Sequence, residues 1–449
     1  MGRSTDSPAA LSGLLPAGTA LGLFLLPVLA ADPSTWPHLV GLSLFASVGL
    51  VGLWRQDPFT TEQVLWGALV LRLAFLPLLP GLTDDLYRYI WDGWLQVEGI
   101  NPYRYRPNAD ALSRFQSTVL YERLNSQPYY SVYPPLTQLF FWIGGWLYSV
   151  DWMVSYYLLK GLFASAEFAG VCLLSRLASA RNLVLYAWNP LVLLETAGQG
   201  HTEALLVFFI VGAVWAVRRD AAVWASLAVA GAGLVKLYPF VLWPFLLRRY
   251  GWSSLWPGGL LVVGVTLPYA APYVLPHMKA SVDLFSQLFE FNAGPYYLTK
   301  YVFRLATGAD WSKQIGPAFR YCFLMLLGLI YLLDWRRGWS FRRSALVVIG
   351  AFLFFSTTVH PWYFLPILAI GVVHDRPAWP WLWGAAFSVG TYLFYVDGPY
   401  WAWIILGWGG GTALGLWLYW TALCRVLAQL QRRLRACLRW ARRAYADRK

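Results

Sequence analysis

The feature that most constrains the fold of this chain is the recurrence of long apolar runs from one end to the other. A helix of about 17–25 predominantly apolar residues crosses the hydrocarbon layer of a bilayer. Runs that could serve as spans lie at residues 11–30, 38–54, 62–80, 132–150, 153–175, 182–198, 201–217, 222–247, 252–276, 317–334, 344–373, 379–396 and 400–424. Because lipid offers the backbone no hydrogen-bond partner, they predict an all-α, polytopic transmembrane helical bundle of about 11–14 helices.

Composition agrees with an integral membrane protein. Charged residues make up 13% of the chain, whereas soluble domains contain roughly 25%. Length gives no domain count here, since one bundle can absorb every apolar run. We therefore predict a single transmembrane catalytic domain over residues 1–424, followed by a separate tail at 425–449.

The tail is strongly basic, with eight Arg and one Lys against the single acid Asp447. The positive-inside bias places it in the cytoplasm, where it can bind anionic membrane lipids. Its leucines recur at near-helical spacing and predict an interfacial amphipathic helix. They are Leu427, Leu430, Leu434 and Leu438. The tail is short and lies outside any recognition fold, so nucleic acid is not an expected partner.

Two long polar stretches interrupt the apolar runs, at 81–131 and 277–316. If the arginines at 55, 248–249 and 336–343 are cytoplasmic, both stretches lie outside as outer loops. A conflict concerns Arg176, Arg181, Arg218 and Arg219. They fall outside if 132–150 and 222–247 each cross once, and inside if 132–150 re-enters and 222–247 forms a hairpin near Lys236. The interpretation adopted from the sequence is one crossing each. The run 344–373 is a bent span or a hairpin of two short helices, broken at Pro361.

The first outer loop carries most of the chemistry-bearing residues, with six acids and five arginines. Asp84 and Asp85 adjoin each other directly after an apolar run. Such a carboxylate pair at a membrane surface indicates chemistry, solvation or cation binding. Two adjacent carboxylates can bind a divalent cation, although one adjacent pair is a weak metal motif. Further along, Arg88 and Asp92 stand at i, i+4 spacing and can pair on a helix.

Three more polar islands interrupt apolar runs. The first runs from Gly198 to Glu203 and includes His201. Lys236 is an intramembrane cation that could bind a lipid phosphate or extend to the surface. His360 precedes Pro361 and could act at the site or donate to a free carbonyl. In the second outer loop, Lys300 and Arg304 at i, i+4 spacing could clamp a phosphate or be solvated surface.

Five short motifs occur in order: Asp-Asp-Leu-Tyr-Arg-Tyr from 84, Asn-Pro-Tyr from 101, Tyr-Pro-Pro-Leu from 133, Gly-His-Thr-Glu from 200 and His-Pro-Trp-Tyr from 360. This succession resembles the GT-C superfamily of membrane glycosyltransferases, and in particular the bacterial polyprenol-phosphate-mannose-dependent mannosyltransferases (glycosyltransferase family 87-like). The resemblance implies that Asp85 is the catalytic base, with Asp84 as the alternative and His360 as a second catalytic residue. It also implies substrate-binding residues, which we predict to be Arg88, Tyr89, Asp92, Arg104, His201, Glu203, Lys236, Lys300 and Arg304.

The function that the resemblance implies is transfer of a hexose, such as mannose, from a polyprenyl-phosphate donor to a lipid, glycan or protein acceptor. The expected mechanism is inverting and requires no cofactor, with the active site at the outer face of the bacterial inner membrane. The alternative is a transporter or flippase for a lipid-linked glycan. The sequence contains no Gly-x4-Gly-Lys-Ser/Thr motif that would power ATP-driven transport.

Overall fold

The computed structural model describes residues 8–284, 289–420 and 424 of the chain. Within these ranges the regular secondary structure is helical, apart from a parallel bridge between Phe291 and Thr358. The predicted all-α class is confirmed for the described residues. The basic tail at 425–449, with its predicted amphipathic helix, lies outside them.

The first ten helices are α1 (Pro8–Ala30), α2 (Trp36–Gln56), α3 (Thr61–Phe75), α4 (Asp85–Val97), α5 (Val119–Glu122), α6 (Pro135–Gly145), α7 (Trp152–Leu174), α8 (Ala180–Ala187), α9 (Pro190–Leu193) and α10 (Glu203–Arg218). The next ten are α11 (Ala222–Val235), α12 (Trp243–Tyr250), α13 (Leu255–Thr266), α14 (Val274–Asp283), α15 (Gly294–Thr307), α16 (Ser312–Arg337), α17 (Phe341–Phe354), α18 (Leu365–Gly371), α19 (Trp379–Ser388) and α20 (Tyr400–Ile404).

Most apolar runs are broken into helices shorter than the predicted spans. Among the described residues, three helices are long and apolar enough to cross a membrane: Pro33–Gln56, Trp152–Leu174 and Ser312–Arg337. The number rises to five if each of two sharply bent helix pairs counts as one span. The predicted membrane-embedded helical protein agrees with this pattern, whereas the predicted bundle of about 11–14 helices stays a prediction.

Residues 132–150 lie between the first outer loop and α7. Lys160 on α7 donates to the carbonyl of Leu78 at 2.5 Å, so the start of α7 lies beside the beginning of the first outer loop. The intervening α6 has 11 residues and is about 16 Å long at 1.5 Å per residue. The hydrocarbon layer is about 30 Å thick, so α6 is too short to cross it as a single straight helix, and the choice between one crossing and re-entry of 132–150 stays a prediction.

Three helical hairpins begin and end at one end of the bundle. In each of them the chain reverses direction near the other end. The first hairpin (180–218) turns at 198–202, where the helix axis changes direction by 117°. The second hairpin (222–250) turns at 236–238, between α11 and a 3-10 segment. The third hairpin (341–373) turns at 355–360, between α17 and a 3-10 segment that begins at Pro361. Among the described residues, 222–250 therefore has the hairpin shape of the second alternative, and its position relative to a membrane stays a prediction.

The open ends of these hairpins are joined by hydrogen bonds from arginine and asparagine side chains. Arg218 donates to the carbonyl of Leu177 at 3.3 Å, and Arg342 donates to that of Val373 at 3.2 Å. The Asn182 amide links the first and third hairpins through the carbonyl of His374 at 3.0 Å. We call this side of the bundle the arginine end. Pro239 and Pro361 directly follow the second and third turns, and proline interrupts helical hydrogen bonding. The first turn contains Gly200, whose φ is +75°.

The first outer loop is anchored to the bundle by a close helix crossing. A Cβ on Gly93 of α4 would lie 1.9 Å from the carbonyl oxygen of Phe141, and one on Gly145 would lie 2.3 Å from the backbone of Gly93. Only glycine at these positions lets α4 and α6 approach so closely. The loop therefore has a rigid base, and its helix α4 begins with Asp85 at the top of the hairpins.

Candidate active site

The candidate active site lies where the start of the first outer loop, residues 81–86, meets the three hairpin turns. We call these residues the loop head. Gln199, in the first turn, accepts hydrogen bonds from the backbone N–H groups of Gly81 at 3.1 Å and Leu82 at 3.0 Å. The neighbouring Gly200 has φ +75°, and a Cβ there would lie 3.1 Å from Leu86. The loop head is thus held directly against the first hairpin, which brings Asp85 to His201.

Asp85 is the acid that faces the hairpin turns. Its Oδ2 lies 4.0 Å from His201 Nε2, and its side chain stays 27% exposed. Asp84 is exposed and lines a separate open cleft with Tyr87, Glu122, Arg123, Leu124 and Asn125. Burial raises the pKa of both carboxyl groups above the ordinary 3.8, and Arg123 opposes this rise at Asp84. Asp85 can therefore reach both solvent and the buried site.

His201 is held from two sides and has no freedom to turn. Its Nδ1 lies 3.0 Å from Glu195 Oε2, and its ring stacks on Trp362 with centroids 3.8 Å apart. The other Glu195 oxygen accepts a hydrogen bond of 2.8 Å from the Tyr392 hydroxyl. Glu195, His201 and Asp85 therefore form a line of carboxylate, imidazole and carboxylate.

His360 joins the same site through Trp362. The rings of His360 and Trp362 are nearly parallel, with an interplanar angle of 2° and centroids 4.3 Å apart. Phe291 covers the imidazole at 4.9 Å. Both faces of Trp362 are therefore occupied by imidazoles, which fixes the spacing of the two histidines. A sugar ring would have to stack elsewhere.

Lys236 and Glu203 form the next part of the site. The lysine Nζ lies 3.0 Å from Glu203 Oε1, and it lies 5.8 Å and 5.6 Å from the ring centroids of Tyr133 and Tyr363. Its side chain is 21% exposed, so the cation is accessible beside its carboxylate partner. The structure thus brings five sequence-predicted residues together. They are Asp85, His201, Glu203, Lys236 and His360.

Three other predicted residues lie on α4 with Asp85. Arg88 and Asp92 form the expected i, i+4 ion pair at 2.8 Å, and Asp92 also accepts hydrogen bonds from Ser131 and Gln138. Through these contacts, the Arg88–Asp92 ion pair stabilises the first outer loop. Tyr89 is buried between Tyr133 and Phe141, and its hydroxyl faces the Asp85 carboxylate. Of the three, Tyr89 is the one turned toward the base.

The remaining predicted residues are not brought to the hairpin turns. Arg104 is exposed, with its guanidinium 5.0 Å from the ring centroid of Tyr105. Lys300 pairs with Glu290 at 2.9 Å, and Arg304 is exposed on α15. Among the described residues, no group of three or more His, Cys, Asp and Glu side chains could hold a metal ion.

Glu195 and Tyr392 belong to the site but were not predicted from the sequence. Glu195 is the single charged residue in the apolar run 182–198. An acid in such a run is a functional candidate by default, so the signal was present. Tyr392 gave no comparable signal, because its contact with Glu195 joins distant parts of the chain.

Comparison with known proteins bears on residues 34–250. This part of the chain matches the sequence model of a family described as "Alpha-(1->6)-mannopyranosyltransferase, N-terminal domain". No curated protein and no solved structure matches the chain. The matched residues contain the first outer loop and the first two hairpins, whereas His360 lies beyond them. The predicted resemblance to mannosyltransferases is thereby confirmed, since residues 34–250 match the model of the N-terminal domain of such a family.

Proposed function

We propose that the protein is a GT-C glycosyltransferase that transfers mannose from a polyprenyl-phosphate donor to a hydroxyl group of a lipid, glycan or protein acceptor. The observation that carries this proposal is the position of Asp85. Its carboxylate is accessible, yet it lies against His201 and beside the cation of Lys236. A base and a phosphate-binding cation are the two groups that this reaction needs.

The reaction follows from these positions. Asp85 removes the proton from the acceptor hydroxyl, and the oxygen attacks the anomeric carbon on the side opposite the phosphate. The bond from that carbon to the phosphate oxygen breaks with inversion, and the polyprenyl phosphate leaves with its negative charge. Lys236 stabilises this charge, which increases as the bond breaks. No second catalytic acid is required, because phosphate is already a good leaving group.

The site lies far from the arginine end. Helices α11 and α17 have 14 residues each, which places their ends about 21 Å from that end at 1.5 Å per residue. With the arginine end at the cytoplasmic surface, the turns lie near the opposite interface. This position supports catalysis at the outer face of the membrane. In a bacterial cell, that membrane would be the inner membrane. The Asp84 cleft would then open to the outside.

The test uses purified protein in lipid, radiolabelled polyprenyl-phosphate mannose and a membrane-lipid acceptor extract. We expect wild-type protein to move label to a new product and Asp85→Asn to retain the donor without transfer. Asp84→Asn is the matched control, since it removes the neighbouring carboxylate and should leave transfer measurable. Equal transfer by wild type and Asp85→Asn would contradict the role of Asp85.

A transporter or flippase for a lipid-linked glycan is the second candidate. Helices that break inside the bundle are common in transporters, and the two bent pairs of this chain turn by 117° and 102°. The same labelled donor separates the two functions. A transporter would move the intact donor between leaflets in vesicles, whereas the transferase cleaves its sugar–phosphate bond.

The dependence on metal is tested in the same assay. Asp84 and Asp85 have divergent surroundings, one exposed and the other against His201, so we expect transfer without an added cation. Activity that disappears with EDTA and returns with a divalent cation would assign the pair a metal.

A further inference from the structure

A second carboxylate, that of Glu195, lies on the side of the His201 ring opposite the candidate base Asp85. Glu195 lies in a π-helical turn, Leu194–Gly198, at the top of the first hairpin. We propose that Glu195 is a positioning residue that holds His201 as an imidazolium facing Asp85, and so keeps the Asp85 carboxylate ionised before the acceptor binds. This inference rests on the proposed function, in which Asp85 is the base.

The turn brings residue 195 to residue 201 through both its backbone and its side chain. The backbone carbonyl of Glu195 accepts the N–H of His201 at 3.0 Å, while the Glu195 carboxylate lies 3.0 Å from His201 Nδ1. An α-helical continuation would point the carboxylate elsewhere, and π-helical turns occur frequently at functional sites. The local backbone therefore gives His201 one orientation, with Nδ1 toward Glu195 and Nε2 toward Asp85.

Burial makes the charge of His201 necessary. The exposed fraction of both Glu195 and His201 is 0%, and a buried carboxylate without a cation is costly. Tyr392 donates one hydrogen bond to Glu195 but carries no charge to offset it. Trp362 covers the His201 ring, and an aromatic face favours a cation. Among the described residues, neither ring nitrogen of His201 has a partner with good hydrogen-bond geometry. The Nδ1 contact with Glu195 is therefore one of charge, and the Nε2 N–H is available to Asp85.

Other charged and titratable groups also face Asp85 and influence the ionisation of its carboxyl group. Lys236 favours its carboxylate form, whereas Glu203 and Asp84 oppose it. Tyrosine hydroxyls surround it from its own helix and from other elements. These are Tyr89, Tyr133, Tyr363, Tyr392 and Tyr395. His360 lies on the far face of Trp362, where a second positive charge would oppose that on His201.

The consequence is a dependence of activity on pH that a merely structural role would not produce. Burial raises the pKa of Asp85, and the His201 imidazolium lowers it again. Activity is lost as pH falls through this pKa, because a protonated Asp85 cannot take the acceptor proton. Without the negative charge of Glu195, the buried His201 ring is no longer stabilised as an imidazolium, and it becomes neutral. The acidic limb of kcat/KM should then move to higher pH.

The first experiment compares the pH profiles of wild type and Glu195→Gln, which keeps the shape of the side chain. We expect the acidic limb to move up by about one pH unit or more, the size expected for a charge at this distance. Activity on the alkaline side should remain within a few-fold of wild type. Glu167→Gln is the matched control, because it also removes a buried carboxylate but one that pairs with Arg72. The acidic limb of the Glu167→Gln profile should stay at the wild-type pH even if the rate of this variant falls.

A second experiment does not depend on transfer activity. The chain has five histidines, so ¹³C- or ¹⁵N-labelled histidine gives few NMR signals, and His201→Gln identifies that of His201. We expect an imidazolium at pH 7 in wild type and a neutral ring in Glu195→Gln. A neutral His201 in both proteins, or equal loss of activity at every pH in Glu195→Gln, would overturn the inference. Wild type that transfers no sugar would instead contradict the proposed function.

Discussion

The two outer loops look alike in sequence but differ in how the structure uses them. The first, 81–131, is fixed through Gly93, Gly145 and Gln199 and places Asp85 in the site. The second, 277–316, exposes much of α15 to its surroundings, and its Lys300 pairs within the same loop with Glu290. Its described residues reach the site through Phe291, which forms the bridge to Thr358 and covers the His360 ring. A polar loop therefore contributes a reactive charge only where packing holds that charge against another element.

The largest expected difference between the loops concerns their acids. Asp85→Asn should lower kcat by about 10²–10⁴-fold, which is the usual contribution of a general base. Glu290→Gln, in the second loop, should lower it by less than about threefold, since a partly exposed ion pair contributes little. The measurement is the initial rate of label transfer at saturating donor. A comparable loss in both variants would mean that the second loop also supplies a catalytic charge.

A stability difference should follow from the tight base of the first loop. Gly93→Ala should destabilise the protein by about 1–3 kcal/mol, because its Cβ would meet the Phe141 carbonyl. Gly161→Ala in α7 is the control, since a Cβ there meets nothing within 4 Å. It should be neutral or stabilising by up to about 1 kcal/mol. Thermal unfolding in detergent measures both, and equal melting temperatures would show that the crossing of α4 and α6 is looser than described.

The smallest expected difference concerns the two lysines that could bind phosphate. Lys236→Gln should raise KM for the donor by roughly tenfold, as expected for loss of a charged hydrogen bond. Lys300→Gln should change it by less than about threefold, because Lys300 is paired with Glu290. Steady-state kinetics with varied donor give both values. Similar increases would assign the second loop a direct contact with the donor.

Much of the candidate site could be predicted from the sequence. Asp85, His201, Lys236 and His360 each interrupt or end an apolar run, and a charge in such a position needs a partner. The structure brings all four together. Arg304 shows the limit of this reasoning, since helical spacing alone did not tell a phosphate clamp from an exposed surface.

The path of the chain was harder to predict, and the loop charges were the better guide. Arg181 and Arg218 favoured a hairpin at 222–247 together with re-entry of 132–150, and both arginines lie at the arginine end. The resemblance to GT-C enzymes favoured one crossing for each segment, but a resemblance does not reveal a reversal inside an apolar run. Pro239 was the physical signal for that reversal. The site residue Tyr392 could not be found, because its contact depends on packing between distant segments.

The ion pair between Glu203 and Lys236 has a consequence for how the protein is made. Glu203 begins α10 and Lys236 directly follows α11, so the pair closes between two consecutive helices. A lone charge costs about 2.5–3.5 kcal/mol at the centre of an inserting helix, and less near a helix end such as those that carry Glu203 and Lys236. We expect α10 and α11 to leave the translocon as one unit, and insertion assays on each helix alone should show lower efficiency than the pair. During insertion, each of the two charges would offset the other before the pair takes up the substrate-binding role that we propose for it.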